Sequence, residues 1–394
     1  MLIASGAASV GLSMTAAALA YEIYDVTRRD ISVGHLGLAE AVPAILLSLF
    51  GGYLADRYDR KKIILTCVGF GSFVVLAMWL SAGSLPGIRF IQILAAAFAI
   101  GIAGGLSRPA LSAIEAQVVP AEQALRGASI LSVVGTTCAI GGPALFGQVA
   151  KHWSVGHGYL VAGILWSLSW FFILSLHPTP AESHPPGKLF EGIGEAIRFV
   201  WKSQVLLGSM ALDLFAVFFG GAVALIPVFC RKVLFVGPET YGLLVAATPI
   251  GAGVAMLVCA IRPPTKNPGW LFLGCVTGFG LSIIGFAYSR WWVLSGLCLL
   301  LSGVFDGISM VIRRTILRVY SPVKMRGRVA AVSWIFIGAS NELGALESGY
   351  ASEWFGPVNA VLIGGIITLT IVAFAMIFAP KLRTIDLGPR EVEA

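Results

Sequence analysis

Charge is scarce in this 394-residue chain: 12% of its residues are Asp, Glu, Lys or Arg, against 57% hydrophobic. That is too little polar side chain to coat a water-soluble globule, so the solvent has to be lipid. Cysteine is also thin. The six cysteines (Cys67, Cys138, Cys230, Cys259, Cys275 and Cys298) lie singly inside apolar stretches, with no C-x-x-C pair and no His beside them. This argues against a disulfide framework or a zinc module, and no metal or other cofactor is expected. No H-E-x-x-H, G-x-S-x-G or phosphate-loop glycine pattern occurs, which argues against a membrane hydrolase and against ATP-driven work within this chain. The alternation of a β-barrel strand is missing too. Of the formal charge of +7, the cations sit in short clusters between apolar runs, a topological pattern that predicts no nucleic-acid partner.

What is present is a succession of apolar runs of helix-spanning length. At 1.5 Å rise per residue, roughly 20 residues cross a hydrocarbon core of ~30 Å. Hydropathy predicts twelve spans, at residues 2–22, 34–55, 62–82, 88–114, 127–150, 157–176, 205–229, 239–261, 269–288, 291–312, 329–352 and 357–379. The fold class is therefore all-α membrane protein, with about twelve transmembrane helices in two six-helix bundles. The first bundle covers 1–176 and the second 204–380. A linker over 177–203 carries an amphipathic helix, and 381–394 is a tail. Gly37–Pro43 (GLAEAVP) returns as Gly242–Pro249 (GLLVAATP) with one insertion, so the halves are related by pseudo-symmetry. Most Lys and Arg residues fall on one predicted side. Arg28, Arg29, Arg89, Lys151, Arg231, Lys232 and Arg290 fall on the other. The positive-inside rule then places the linker and both termini in the cytoplasm, and Trp153, Trp291, Trp292 and Trp354 form an outer aromatic belt. The start mimics a signal peptide, with Ala18-Leu19-Ala20 as a cleavage-like site, but it lacks a basic leader. It is read as a retained first span, truncated at its beginning.

Between the second and third spans the chain reads Gly52-Tyr-Leu-Ala-Asp56-Arg57-Tyr-Asp59-Arg60-Lys61-Lys62. Asp56 at a helix end can accept from the free N–H groups of another helix's N-terminus, where the dipole also favours an anion. Arg57 and Arg60 can pair with a carboxylate such as Glu115. Together with Lys61, Arg126 and Arg326 these residues make a candidate cytoplasmic gate. The stretch resembles the cytoplasmic signature of the major facilitator superfamily, with Asp59 in place of its second glycine. That departure, with Leu212–Leu244 and Met325–Gly349, resembles the subgroup of enterobactin exporters and macrolide-efflux proteins. The resemblance implies two bundles working by alternating access at the bacterial inner membrane. It also implies that Asp56 contacts the eleventh span, which begins near Arg328. Gly135, Gly142, Pro143 and Gly147 in the fifth span resemble the exporter-associated motif of that superfamily, with Phe146 where a glycine is usual.

Ionisable groups inside a bilayer cost at least ~2.5 kcal/mol each, so they usually face a cavity and serve a function. The candidates are Asp213, Glu40, Asp306, Arg108 and Glu342, with Asp213 first and Glu40 second as proton-coupling carboxylates. Glu342 or Glu347 could instead pair with Arg313 or Arg314, and Glu22 is read as interfacial. The expectation is a monomeric secondary transporter, not an enzyme, that exchanges protons for a small organic molecule of siderophore or hydrophobic-drug type. Import, or lipid and metabolite transport without proton exchange, is the rival reading. A non-transporting receptor fits poorly, because the extramembrane segments are short.

Overall fold

The computed structural model describes residues 2–118, 124–175, 193–264, 266–322 and 325–385. Their secondary structure is helical. α1 (Leu2–Thr27), α2 (Ile31–Arg57), α3 (Arg60–Leu80), α4 (Pro86–Val118), α5 (Ala124–His152) and α6 (Val155–Leu174) fill the first six predicted spans. α7 (Ile193–Lys202) is the amphipathic piece of the linker. The second half contains α8 (Gln204–Phe219), α9 (Ile226–Lys232), α10 (Pro238–Ile261), α11 (Pro268–Tyr288), α12 (Trp292–Tyr320), α13 (Arg326–Phe355) and α14 (Pro357–Phe378). Among the described residues, ten helices are long and apolar enough to cross a membrane, or eleven if α7 and α8, bent by 96°, count as one. The chain forms two compact units. One is Met1–Pro185 with Ile226–Ala246, and the other is Pro186–Leu225 with Ala247–Ala394.

The seventh predicted span differs from expectation. Residues 205–229 do not form one helix: α8 stops at Phe219, and residues 220–225 are held in tight turns by Ala222 N–H to Gly220 O (2.7 Å) and Ala224 N–H to Gly221 O (3.1 Å). Gly220-Gly221 weakens the helix, and Pro227 cannot donate to the carbonyl four residues back. The proline therefore opens α9 at its second position instead of continuing α8.

Helices packed in lipid gain nothing by hiding apolar surface from one another, so close contact falls to small residues. α4 carries Gly101-x-x-x-Gly105 against α2, where a methyl group at Gly101 would strike the carbonyl of Glu40 and one at Gly105 would lie 2.7 Å from that of Ala44. α12 carries Gly303-x-x-x-Gly307 against α10, facing the carbonyls of Thr248 and Ala252 in the same way. This repeat confirms the internal pseudo-symmetry and corrects its register. Packing matches Glu40 with Thr248 and Ala44 with Ala252, two residues away from the match made on Pro43 and Pro249. Large apolar side chains away from the helix contacts, such as Phe73, Ile91, Leu257 and Ile377, are exposed, as acyl chains require.

Candidate functional site

In the first unit α1, α2, α3, α4 and α6 enclose a cavity of about 370 Å³. Ala8, Leu12, Ala44, Ile64, Val68, Ile100 and Leu111 make its wall apolar, and Ser5, Ser9, Ser107 and Ser169 add hydroxyls. Trp166 forms one side. Its indole fits a slot between Gly11 of α1 and Gly71 of α3, where an added methyl would come within 2.7 and 2.5 Å of the ring. The indole Nε1–H is buried in this slot with no acceptor among the described residues. Glu40, Arg108 and Lys61 also line the cavity. Glu40 and Arg108 make no hydrogen bond or ion pair among the described residues, although the field of Arg108 reaches Glu40. Two of the predicted charges thus meet at one cavity. The tightness of the Gly101 contact holds α2 against α4 at that level.

Asp213, first among the predicted carboxylates, is in a different situation. It is buried on α8 and forms an ion pair with Arg313 of α12, itself 6% exposed. The expected partners of Arg313, Glu342 and Glu347, do not take that role. Asp306, two helical turns before Arg313, lines a small cleft together with Asp213, Ser309 and Phe305. It has no polar partner among the described residues. Glu347 accepts a long bond from Ser348 (3.5 Å), and Glu342 is half-buried with a polar contact of its own.

The signature builds the turn from α2 to α3. Asp59 is the N-cap of α3, accepting from the Lys61 N–H at 2.9 Å. A carboxylate there satisfies an orphan donor and meets the positive end of the helix dipole, which is the local reason for an acid in place of glycine. Buried Arg60 donates Nε–H to the Ala55 carbonyl (3.1 Å), Arg57 lies 4.8 Å over the Tyr53 ring, and Lys61 Nζ donates to the Leu174 carbonyl at the end of α6 (2.8 Å). Each cation thus meets a carbonyl or a ring face. Gly52 faces open space, and Arg326 makes a long contact with the Ser321 carbonyl (3.4 Å). The side chains of Asp56, Glu115 and Arg126 lie outside the described ones.

In α5, Gly142 lies against Ser13 and Met14 of α1, and Gly147 lies 2.7 Å, as a virtual methyl, from the Pro238 carbonyl. The Pro143 carbonyl in turn faces Gly242. Gly135 has open space around it. Phe146, the departure from the motif, is fully buried between Tyr21 (5.8 Å) and Tyr241 (6.2 Å between ring centres).

A buried network escaped the sequence reading. Glu22 near the end of α1 is held within the protein: Arg89, 2% exposed, donates to both of its oxygens at 2.8 and 3.0 Å, and Tyr159 Oη donates to it at 2.6 Å. Arg89 also donates to Met78 O (3.0 Å) and Ser81 Oγ (2.9 Å). The sequence counts Arg89 only among the cations of one predicted side. Only the fold turns it inward.

The model of a family described as transmembrane secretion effector matches residues 1–391. An enterobactin exporter of Citrobacter koseri is 26% identical over 96% of this chain and 91% of its own length. One of Salmonella typhi is 27% identical over 92% and 89%. The fold is shared with the nucleoside transporter NupG (TM-score 0.77, 14% identity, 96% of this chain and 98% of that one). A D-xylose-proton symporter is also similar (TM-score 0.74, 13% identity, 98% of each). The chain is thus a multi-pass membrane transporter rather than an enzyme, and it belongs to the transmembrane secretion effectors of the major facilitator superfamily.

Proposed function

We propose that the protein exports a small amphipathic organic molecule, rich in hydrogen-bond acceptors or weakly acidic, across the bacterial inner membrane in exchange for protons, with both termini in the cytoplasm. The observation that carries this reading is the cavity in the first unit. Its wall is mostly apolar, yet it carries two cations, Arg108 and Lys61, and the first of these makes no hydrogen bond or ion pair among the described residues. A few placed polar groups in an apolar cleft of this size suit a drug- or siderophore-sized ligand better than a sugar. The names of the curated relatives support export, and enterobactin-like catecholates are the first compounds to try.

Glu40 and Asp306 are the proposed proton carriers. Neither makes a hydrogen bond or ion pair among the described residues, each lines a cleft, and one lies in each half of the pseudo-symmetric chain. Asp213, held by Arg313, responds secondarily. A carboxylate in an unpaired intramembrane position can be neutral when loaded and charged when empty, which is the switch a proton exchanger needs. The test is substrate-triggered proton release from proteoliposomes under an imposed pH gradient, with siderophores and hydrophobic drugs, on the intact chain and on Glu40→Gln and Asp306→Asn. Export without proton movement in the intact chain would remove antiport from the proposal. Transport of a small polar metabolite in place of these compounds would remove the substrate class.

A further inference from the structure

α7 leaves the axis of α8 at 96°. Because α8 runs into the bilayer, α7 runs along its surface. One face of α7 is committed to protein: Ala196 and Val200 are buried, in a core shared with Leu206, Ile316, Val329 and Leu382. The remaining face carries two adjacent stripes. Ile197 and Trp201, 41% and 65% exposed, make an apolar one. Arg198 and Lys202, also exposed and one residue further on, make a cationic one. An apolar stripe beside a cationic stripe on a helix parallel to the membrane places its rings among acyl chains and its charges among headgroups.

The neighbouring chain end extends the same chemistry. Gln204 Nε2 donates to the Phe378 carbonyl at 3.1 Å, and Gly208 packs against Leu382. This brings the end of α14 beside the junction of α7 and α8. Exposed Ile377 and Phe378, followed by exposed Lys381, therefore adjoin Trp201 and Lys202. At this end of the second unit the exposed cations also include Arg314, Arg318 and Arg328. The single carboxylate among the described residues there, Glu195, is taken by Arg328 at 3.1 Å. Among the described residues the corner thus holds positive charge with no free carboxylate to neutralise it.

We propose that the corner formed by α7 and the end of α14 binds an anionic phospholipid, its headgroup held by Arg198, Lys202 and Lys381 and its chains lying against Ile197, Trp201 and Phe378. Charge complementarity selects the occupant, since a zwitterionic headgroup would leave the three cations uncompensated. Each juxtamembrane cation is worth roughly a fivefold preference. The three together give a strong local enrichment of anionic lipid over bulk.

The experiment uses the full chain in nanodiscs. Fluorescence quenching by brominated phosphatidylglycerol and by brominated phosphatidylcholine is compared at equal mole fraction, and the signal of Trp201 is isolated as the difference between the parent chain and Trp201→Phe. The expected result is several-fold stronger quenching of Trp201 by the glycerol lipid. This preference falls to the phosphatidylcholine level in Arg198→Gln/Lys202→Gln/Lys381→Gln and in high salt on the unmutated chain. Equal quenching by both lipids overturns the proposal, as does a preference that survives the triple variant. Absence of quenching by either lipid also overturns it, because Trp201 would then be covered by something other than lipid. The salt titration needs no variant and stands if the triple variant misfolds.

Discussion

Replacing Arg89 with Met tests the buried network in the first unit. The substitution keeps most of the side-chain volume and removes the guanidinium. In the intact chain that group makes two bonds to Glu22, at 2.8 and 3.0 Å, and further bonds to the Met78 carbonyl and Ser81 Oγ. After the change Glu22, with 11% of its side chain exposed, keeps only the Tyr159 hydroxyl. Leaving one partner of a buried pair uncompensated costs about 3–5 kcal/mol. One effect opposes that figure: Glu22 keeps some exposure near the end of α1, where water can solvate it, so the lower half of the range is the expected loss. The assay is equilibrium unfolding in mixed micelles by denaturing-detergent titration, followed by helical circular dichroism. Arg89→Met and Glu22→Gln singly should each destabilise, whereas the double variant should recover at least half of the Arg89→Met loss, because an apolar residue and a neutral amide need no counter-charge. An Arg89→Met loss below about 1 kcal/mol, the ordinary value for an exposed pair, would refute the reasoning. So would losses that simply add in the double variant.

Four further outcomes are expected. Asp306→Asn should leave unfolding unchanged, since its carboxylate has no polar partner among the described residues, while abolishing substrate-triggered proton flux in proteoliposomes. Asp213→Asn should do the reverse in part, lowering stability by about 3–5 kcal/mol because Arg313 is left buried and unpaired, with recovery in Asp213→Asn/Arg313→Met. Gly105→Val should cost about 1–3 kcal/mol, because its first carbon would come within 2.7 Å of the Ala44 carbonyl. Asp59→Ala should cost about 0.5–2 kcal/mol through loss of the α3 cap, and Asp59→Asn should restore most of it.

The helices were readable because their cause is local. A run of some twenty apolar residues has no other way to satisfy its backbone in lipid, so hydropathy places most helices within a few residues, although α12 runs eight residues beyond its expected end. The seventh span failed because hydropathy is blind to backbone geometry: Gly220, Gly221 and Pro227 are apolar enough to pass but break the helix together. The turn signature was legible as a motif, yet the reason for Asp59 became visible only with the α3 N-terminus in place. Intramembrane charges were legible as a set because each is costly in lipid. Their division into roles was not, since it depends on which helices face each other.

The sequence by itself determined that this is a helical membrane protein with a repeated architecture, because solvation of the backbone and the cost of charge in lipid act residue by residue, and the resemblance of Gly52–Lys62 to the major facilitator signature implied a transporter. The tertiary structure alone decided which charges are spent on structure. It gave Asp213 to Arg313 and Glu22 to Arg89, left Glu40 and Asp306 at clefts, and set the repeat register through glycine contacts. Pairing energies depend on distances of a few ångströms between residues up to a hundred positions apart, and those distances exist only in the folded chain.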